Sequence, residues 1–443
     1  MSDIRIGIAI LGFGTVGQGV YSVLQQKSKS QGKHGALFEV VRILARNPKQ
    51  EKFRNIPKNL ITTDFAEILK DERIDVVIEV MGGTDPALKY VQDALAQGKH
   101  VITANKEIMG KSGKKLVERA RAHERFFGYA ATVTGCHQLC SAVGSSMAVE
   151  RIVGIFNGTS NYILSRMEEG LSQPEALAEA QAKGYAELDP SSDIDGLDAR
   201  NKLVIMSKLA FGLFLDRDQI DVQGIRSVTL DDMEYAKGLG YVIKLLGVSE
   251  LLPDGRLDAR VHPALVPAHS LLASVKGVGN GIVVEDRLRG VQGLVAEGAG
   301  SRPTAMAIYT DLIALAEGRA ILWPQEPHEL RGEKTRYLPR RQAEGRFYLG
   351  VELGNNPGAL AELTKLIARR GINIASILQR DLAENKMLPV VVLTDQAKVR
   401  DVDTLVEDLR SNKVVGRIQL IRVEEPGLGG NRTMEGSIAL AAR

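Results

Sequence analysis

The feature that most constrains this chain is a glycine-rich turn between an apolar run and a helical pattern. Ile4–Leu11 is typical of a buried strand, and apolar residues recur at helical spacing over Val16–Gln26. Between them stands the motif Gly12-Phe13-Gly14-Thr15-Val16-Gly17. Its first glycine would make the tight bend, its second would let a pyrophosphate approach, and its third would let helix and strand pack closely. The motif therefore predicts a dinucleotide-binding unit, with phosphate at the helix N-terminus; the alternative is a plain strand-to-helix turn.

The end of the second predicted strand bears on which dinucleotide is bound. Phe38–Ala45 is followed by Arg46, where an acidic residue would accept a hydrogen bond from a ribose 2′-hydroxyl. An arginine can instead pair with a 2′-phosphate, which favours NADP over NAD. The alternative is that Arg46 is a solvated charge in a loop, and in that case NAD stays open.

The pattern of helices and strands divides the chain into several units. Strands and helices alternate at first, which predicts an α/β fold with a parallel sheet. The order βαββαβ near the C-terminus is the ferredoxin-like arrangement. The helix at 303–318 is expected to return and pack on the first domain. The predicted units are a Rossmann-type nucleotide-binding domain (1–134), an α+β substrate and dimerisation domain (135–323), a linker (324–345), a ferredoxin-like domain (346–424) and a disordered tail (425–443).

Composition narrows the class of protein. The length of 443 residues is enough for about three domains. The net charge of +3 is too small to suggest a nucleic-acid or membrane-surface binder. Two cysteines, Cys136 and Cys140, exclude a disulfide framework. We see neither a signal peptide nor a membrane span, so the cytoplasm is the expected compartment.

Asp198 and Lys202 are the strongest candidates for chemistry when the residues are read alone. They are four apart, so they share one face of a helix. The apolar run Leu203–Met206 follows and predicts that this helix is largely buried. A buried ion pair is expensive to build for stability alone, and a desolvated lysine has a tunable pKa for proton transfer. We favour this functional interpretation over a solvated surface ion pair.

Four further segments, taken with the glycine loop, resemble a known family. They are Thr103-Ala104-Asn105-Lys106, Asn157-Gly158-Thr159-Ser160-Asn161-Tyr162, the polar block from Gly184 to Lys202, and Gly298-Ala299-Gly300 with Pro303-Thr304-Ala305. In this order they resemble homoserine dehydrogenases over about residues 4–320, and residues 346–424 resemble an ACT domain. The resemblance implies reversible NAD(P)-dependent interconversion of L-homoserine and L-aspartate 4-semialdehyde, a step in threonine, methionine and isoleucine biosynthesis.

The resemblance also implies roles for individual residues. Lys202 would be the general acid–base, with Lys106 close to nicotinamide and substrate. Glu187 and Asp198 would bind the substrate, Asp193 would hold that group of side chains, and the charges of Glu187, Asp198 and Lys202 are expected to be buried. The positions implied for cofactor binding are Gly12, Phe13, Gly14, Thr15, Val16, Gly17, Arg46, Lys106, Gly184 and Gly300.

One segment departs from the family pattern. Over Ala130–Gln138, alanine replaces the family's glutamate and glutamine replaces its proline. Backbone carbonyls of this segment bind Na⁺ or K⁺ in the family, and the matching positions are Ala130, Val133, Gly135 and His137. Backbone ligands survive side-chain changes, so a monovalent cation stays a prediction. Cys136 beside His137 could suggest a nucleophile and base, but adjacent side chains point apart.

The C-terminal domain departs as well. Asn355 stands where an ACT loop usually carries an acidic residue, two before Pro357-Gly358, so an amino-acid effector such as threonine is a hypothesis here. The resemblance implies a homodimer or homotetramer, joined through strands of the second domain. The alternatives are a catalytically impaired, nucleotide-binding regulatory homologue and another amino-acid-pathway dehydrogenase on the same scaffold. Nucleic-acid and membrane partners are not expected.

Overall fold

The computed structural model describes residues 4–28, 36–136, 148–213, 215–297, 300–318, 336–379, 387–412 and 415–427. Elements are numbered along these residues. The first domain contains the strands β1 (Ile4–Leu11), β2 (Ala36–Leu44), β3 (Ile61–Thr62), β4 (Val76–Glu79), β5 (His100–Thr103) and β6 (Phe127–Gly128). Its helices are α1 (Thr15–Ser28), α2 (Phe65–Lys70), α3 (Ala87–Ala96) and α4 (Lys106–Ala122).

The strands of the first domain form one parallel sheet in the order β3-β2-β1-β4-β5-β6. The strands β2 and β3 lie on one side of β1, and β4, β5 and β6 lie on the other side, so the direction in which strands are added reverses between β1 and β4. In open α/β sheets, ligands bind in the crevice outside the carboxyl ends of the strands at such a point. The predicted Rossmann-type arrangement is confirmed, and it places the glycine loop at this crevice.

One predicted strand is shorter than expected. The sequence predicts a strand over Phe126–Ala131, but β6 ends at Gly128 and a 3-10 helix occupies Ala130–Cys136. The amide and hydroxyl of Thr132 both donate to the carbonyl of Tyr129, at 3.0 and 2.5 Å. These local bonds turn the chain where the apolar side chains alone suggested an extended run.

The second domain is a mixed α and β unit. Its strands are β7 (Val149–Ile155), β8 (Asp221–Val222), β9 (Tyr241–Leu251), β10 (Leu257–Pro267), β11 (Gly279–Asp286) and β12 (Gly290–Glu297). Its helices are α5 (Gly158–Glu168), α6 (Gln173–Ala182), α7 (Ser191–Ile194), α8 (Leu197–Phe211) and α9 (Leu230–Gly238). The helix that follows, α10 (Ser301–Ala316), packs on α1: the Ser301 hydroxyl donates to the carbonyl of Thr15 at 2.7 Å. Its Ile308 and Leu312 lie in the core of the first domain with Ile8.

The C-terminal domain comprises β13 (Glu344–Gly354), α11 (Ala359–Arg369), β14 (Ile374–Gln379), β15 (Met387–Thr394), β16 (Ala397–Lys398), α12 (Val399–Ser411) and β17 (Val415–Val423). Its sheet is continuous with that of the second domain. Parallel pairing of β10 with β17 joins Ala264 to Arg422 and Leu265 to Val423. Within the described residues a single sheet runs β12-β11-β7-β9-β10-β17-β13-β15-β14. The two domains therefore share one hydrogen-bonded surface.

Parts of the predicted linker and tail are packed against the domains. Leu338 donates its backbone N–H to Leu257, and Arg340 contacts Asp221 and Asp403 on either side. Glu425, at the start of the predicted disordered tail, accepts from Arg346 at 2.8 Å. Residues 336–343 of the predicted linker thus pack against the flanking domains, and the expectation of disorder is wrong at 425–427; residues 319–335 and 428–443 lie outside the described residues. No described helix combines the length and apolar character needed to cross a membrane.

Candidate active site

The glycine loop has the geometry of a phosphate cradle. Gly12 has a φ of 95°, and a Cβ on Gly17 would lie 2.3 Å from the carbonyl oxygen of Gly12. The first and third glycines are therefore required by the chain's own packing. A Cβ on Gly14 would meet no described atom within 4 Å, so this backbone faces open space beside the start of α1. A dinucleotide pyrophosphate fits there, next to helix N–H groups and with no acidic residue in the first turn of α1.

The other residues predicted to bind the cofactor lie around this loop. Phe13 turns inward and stacks on Phe53 with ring centroids 5.1 Å apart, so only its backbone faces the crevice. Thr15 and Val16 begin α1. Arg46 follows β2 and is exposed. Gly300, with a φ of 131°, immediately precedes α10, which packs on α1.

Asp198 and Lys202 form a buried ion pair on α8. The Lys202 Nζ lies 3.0 Å from Asp198 Oδ2, and the two side chains are 9% and 5% exposed. Lys202 also donates to the backbone carbonyl of Phe156 at 2.6 Å. The helix begins after Gly196, whose left-handed conformation, with a φ of 80°, disfavours any residue with a Cβ. The ammonium group is therefore fixed between a carboxylate and a carbonyl.

Lys106 completes the cluster from the first domain. It is the first residue of α4 and hydrogen-bonds to Asp198 Oδ1. Asn105 caps the helix, because its side chain accepts from the backbone N–H groups of Glu107 and Ile108 at 3.1 and 3.3 Å. The Lys106 side chain is 44% exposed, against 5% for Asp198. The cluster thus bridges the two domains and is open to solvent at Lys106.

Asn157 is a member of this cluster that the sequence did not identify as a site residue. Its amide donates to Asp193 Oδ1 at 2.6 Å and to Asp198 Oδ2 at 2.8 Å. Its oxygen accepts from the N–H of Ser160 at 2.7 Å and caps α5. The cap is visible in the sequence as an Asn before a helical run. The bridge between two carboxylates is not, because they follow 36 and 41 residues later.

The charges of the cluster shift one another's pKa values. Burial would raise the pKa of Asp198, but the charges of Lys202 and Lys106 hold it well below its usual range. Burial raises the pKa of Asp193, and the neighbouring charge of Asp198 adds to that effect. Burial opposes protonation of Lys106, yet the charge and hydrogen bond of Asp198 raise its pKa above the usual value. A proton donor beside a fixed anion is the arrangement that general acid–base chemistry requires.

Glu187 does not join the buried cluster. It is exposed, in a loop that leaves α6 at Gly184 with a φ of 72°. The expectation that Glu187 is buried is wrong. The loop is held by backbone contacts, since Gln181 donates to the carbonyl of Glu187 at 3.1 Å and Thr159 donates to that of Tyr185 at 2.7 Å. The Glu187 side chain is exposed to solvent, which screens its charge.

Three of the four positions predicted for a cation lie on the 3-10 helix Ala130–Cys136, namely Ala130, Val133 and Gly135. His137 lies outside the described residues. In the described part of the chain, no group of three or more His, Cys, Asp or Glu side chains could hold a metal ion. A site built from backbone carbonyls is untouched by that finding.

Comparisons with known proteins agree with this geometry. The NAD-binding domain of homoserine dehydrogenases matches residues 12–129, the homoserine dehydrogenase domain matches 137–313, and the ACT domain matches 347–412. The chain is 35% identical to the homoserine dehydrogenase of Pseudomonas aeruginosa, covering 96% of this chain and 100% of the relative. Against that of Bacillus subtilis the identity is 31%, with 96% and 100% covered.

Solved structures give the same result. A homoserine dehydrogenase from Thiobacillus denitrificans superposes with a TM-score of 0.87 at 33% identity, covering 96% of this chain and 99% of that one. A hyperthermophilic archaeal homoserine dehydrogenase mutant, in complex with NADPH, reaches a TM-score of 0.60 at 25% identity and covers 70% and 97%. With its NAD(P)-binding sheet, its catalytic domain and its ACT domain, the chain belongs to the homoserine dehydrogenase family of oxidoreductases.

Proposed function

We propose that this chain interconverts L-homoserine and L-aspartate 4-semialdehyde, with Lys202 as the general acid–base. The observation that carries the proposal is the cluster of Lys202, Asp198 and Lys106 at the crevice where the two domains meet. It combines a buried ammonium, a carboxylate of lowered pKa and a second, partly exposed ammonium. The reaction needs these groups, because an alcohol must lose a proton as its carbon loses a hydride.

Lys202 transfers the proton, and its neighbours hold its amine in position. A nicotinamide dinucleotide held by the glycine loop would supply or accept the hydride. In the reductive direction Lys202 Nζ gives a proton to the aldehyde oxygen, and in the oxidative direction it takes the proton from the hydroxyl. The carbonyl of Phe156 and Asp198 Oδ2 hold Nζ in position. Asp198 faces Nζ as a carboxylate, because the charges of Lys202 and Lys106 hold the pKa of Asp198 well below its usual range.

The remaining residues serve position and binding. Asn157 holds Asp193 and Asp198 in a fixed relation. Asp198 binds the substrate through the acceptor sites that its carboxylate keeps beside Lys106 and Lys202, and Lys106, whose side chain is 44% exposed, lies close to nicotinamide and substrate. Glu187 binds the ammonium group of the substrate. The glycine loop and Gly300 position the dinucleotide.

NADP is favoured by the exposed Arg46 at the end of β2 and by the NADPH complex of the archaeal relative.

Backbone carbonyls of Ala130, Val133, Gly135 and His137 hold Na⁺ or K⁺. An amino acid such as threonine binds the ACT domain, and the step serves threonine, methionine and isoleucine biosynthesis. Pairing at the edge strand β12, where Val291 and Val295 are exposed, yields a homodimer or homotetramer.

The test is a steady-state assay of NADPH consumption with L-aspartate 4-semialdehyde. We expect turnover with NADPH, a smaller kcat/KM with NADH, and stimulation by K⁺ or Na⁺. The variant Lys202→Ala should lose turnover and still bind NADPH, as measured by the fluorescence of the nucleotide. Turnover by this variant at the wild-type rate would refute the role of Lys202. NADPH binding without turnover in the wild type, at any salt, would favour a regulatory homologue.

A further inference from the structure

Glu79 is a buried carboxylic acid at the point where the sheet order reverses. It is the last residue of β4 and is 0% exposed. Its backbone pairs with Leu11 at the end of β1 on one side and with Thr103 at the end of β5 on the other. It therefore stands between the strand that leads into the glycine loop and the strand that leads into Lys106.

The carboxyl group of Glu79 joins the two loops beside the crevice. In the loop after β4, the backbone N–H of Met81 donates to Oε1 at 2.8 Å. In the loop after β5, the Thr103 hydroxyl donates to Oε2 at 2.6 Å and the Asn105 amide donates to Oε1 at 3.4 Å. The same Asn105 amide donates to the carbonyl of Gly83 at 2.7 Å, which makes a second tie between the loops.

These bonds lead directly to the start of α4. The Thr103 hydroxyl that binds Glu79 also accepts from the N–H of Asn105 at 2.9 Å. Asn105 in turn caps α4, whose first residue is Lys106. One chain of hydrogen bonds thus runs from Glu79 through Thr103 and Asn105 to the helical turn that carries Lys106.

A carboxyl group in this position is costly for stability. Glu79 has no ion pair with a lysine, arginine or histidine of the described chain, and burial raises its pKa. An apolar residue of similar size would avoid the desolvation penalty. This desolvation penalty has to be offset by something that an apolar residue could not provide, namely the hydrogen bonds that join the two loops at the crevice.

We propose that Glu79 is a positioning residue for Lys106: its carboxyl group holds the loops after β4 and β5 together and so orients the first turn of α4 toward Asp198. The inference rests on the proposed function, since it assigns Lys106 to the catalytic cluster. Without Glu79, the loops separate and the Lys106 amine leaves its contact with Asp198.

Two substitutions test this inference, one at the buried Glu79 and a control at the exposed Asp75, which precedes β4. Glu79→Gln keeps the shape of the side chain but removes one acceptor, and Asp75→Asn makes the same chemical change at the opposite end of the sheet, where Asp75 accepts from the N–H of Gly7 at 2.7 Å. We expect Glu79→Gln to lower kcat about tenfold or more, since small misplacements of reacting groups have effects of that size. Asp75→Asn should keep kcat within about twofold, and NADPH affinity by fluorescence should change less than about threefold in both.

A second background separates positioning from general damage. If Glu79 acts through Lys106, then Glu79→Gln should change kcat by less than about twofold in the Lys106→Met background, because coupled residues are not additive. Equal losses in both backgrounds, or no loss in the chain with Lys106, would overturn the inference. Should Glu79→Gln fail to fold, Thr103→Val removes the same hydrogen bond, and Thr103→Ser should restore kcat because it keeps the hydroxyl.

A labelling measurement tests the inference without turnover. Asp198 keeps the Lys106 amine protonated, so release from Asp198 should make it more nucleophilic. We expect an amine-reactive ester to label Lys106 at least about threefold faster in Glu79→Gln, read by peptide mass spectrometry, with exposed Lys115 on the same helix unchanged. Unchanged labelling would reject the inference even in a chain that reduces no aldehyde, whereas missing turnover with faster labelling would reject the proposed function alone.

Discussion

Two buried carboxylates of the described chain, Asp198 and Glu424, lie in clusters that are built from different bases. At the crevice, Asp198 is neutralised by Lys106 and Lys202. At the junction with the ACT domain, Glu424 is neutralised by Arg151 and by Arg260, whose Nη2 lies 2.7 Å from Oε1. Both carboxylates are 5% exposed. Burial alone would raise their pKa values, but the positive neighbours outweigh that effect, so both pKa values lie below their usual range.

The difference between the clusters lies in what their bases can do. A guanidinium stays protonated in proteins, whereas a lysine amine can give up its proton. The junction also holds a titratable base, since His262 Nε2 lies 3.2 Å from Glu424 Oε1. The junction cluster is closed, however: Arg260 is 8% and His262 is 7% exposed, while Lys106 in the crevice cluster is 44% exposed. Burial of an ion pair alone therefore does not indicate catalysis. The crevice cluster differs because it combines a base that can give up its proton with an opening to the ligand.

The largest effect on kcat is expected when Lys202 is replaced by an arginine, the kind of base that neutralises Glu424 at the junction. Lys202→Arg keeps the positive charge beside Asp198 but removes the proton that can be transferred, so kcat should fall about 10³-fold, within the usual range for losing a general acid–base. Steady-state kinetics measure kcat, and circular dichroism confirms the fold. A loss of less than about tenfold would mean that charge, rather than proton transfer, is what Lys202 contributes.

The next effect concerns the junction and its stability. Glu424→Gln leaves Arg151 and Arg260 buried without their carboxylate, and breaking a buried pair in this way usually costs about 3–5 kcal/mol. We expect urea unfolding to shift accordingly, while kcat per folded molecule stays within about twofold. A large fall in kcat with unchanged unfolding would show that the junction takes part in catalysis after all.

Sequence reasoning found the crevice pair and missed the junction for the same physical reason. Asp198 and Lys202 are four residues apart on one helix, so their contact is local and visible in the spacing. Glu424 meets Arg260 across 164 residues, through pairing of β10 with β17 that no local pattern specifies. Glu79 is one polar residue at the end of an apolar strand, and its partners come from the next strand of the sheet.

The fold could be predicted further than the site. The fold class predicted from the alternation of strands and helices and from the order βαββαβ is confirmed. This prediction was possible because the periodicity of apolar residues is a local property of the sequence. The expected burial of Glu187 failed because a loop's exposure depends on what packs over it. The continuous sheet across the second and third domains was also unforeseen, since edge pairing leaves no mark on the sequence of either strand.

The pH dependence of stability sharpens the comparison. The pKa of Glu424 is held well below its ordinary value of 4.5, so its contribution to the free energy of unfolding is fully present above pH 4.5 and is lost as the pH falls through the folded-state pKa. The stability gap between wild type and Glu424→Gln should stay constant from neutral pH to about pH 5 and narrow only in stronger acid. Urea unfolding at stepwise lower pH measures it. A gap that closes already above pH 5 would mean that the arginines do not hold Glu424 ionised.

The smallest effect is expected at an exposed ion pair close to the crevice. Arg226 Nη2 lies 3.0 Å from Asp195 Oδ2, just after the helix that carries Asp193, but the two side chains are 59% and 39% exposed. Solvent screens such a pair, so Arg226→Gln should change kcat by less than about twofold and leave unfolding by urea close to wild type. The matched comparison is Glu424→Gln, which removes one charge from a closed cluster. If Arg226→Gln instead lowered kcat about tenfold, the position of α7 would depend on a solvated pair. The exposed fraction of a charged side chain would then no longer indicate whether that charge affects the geometry of the crevice.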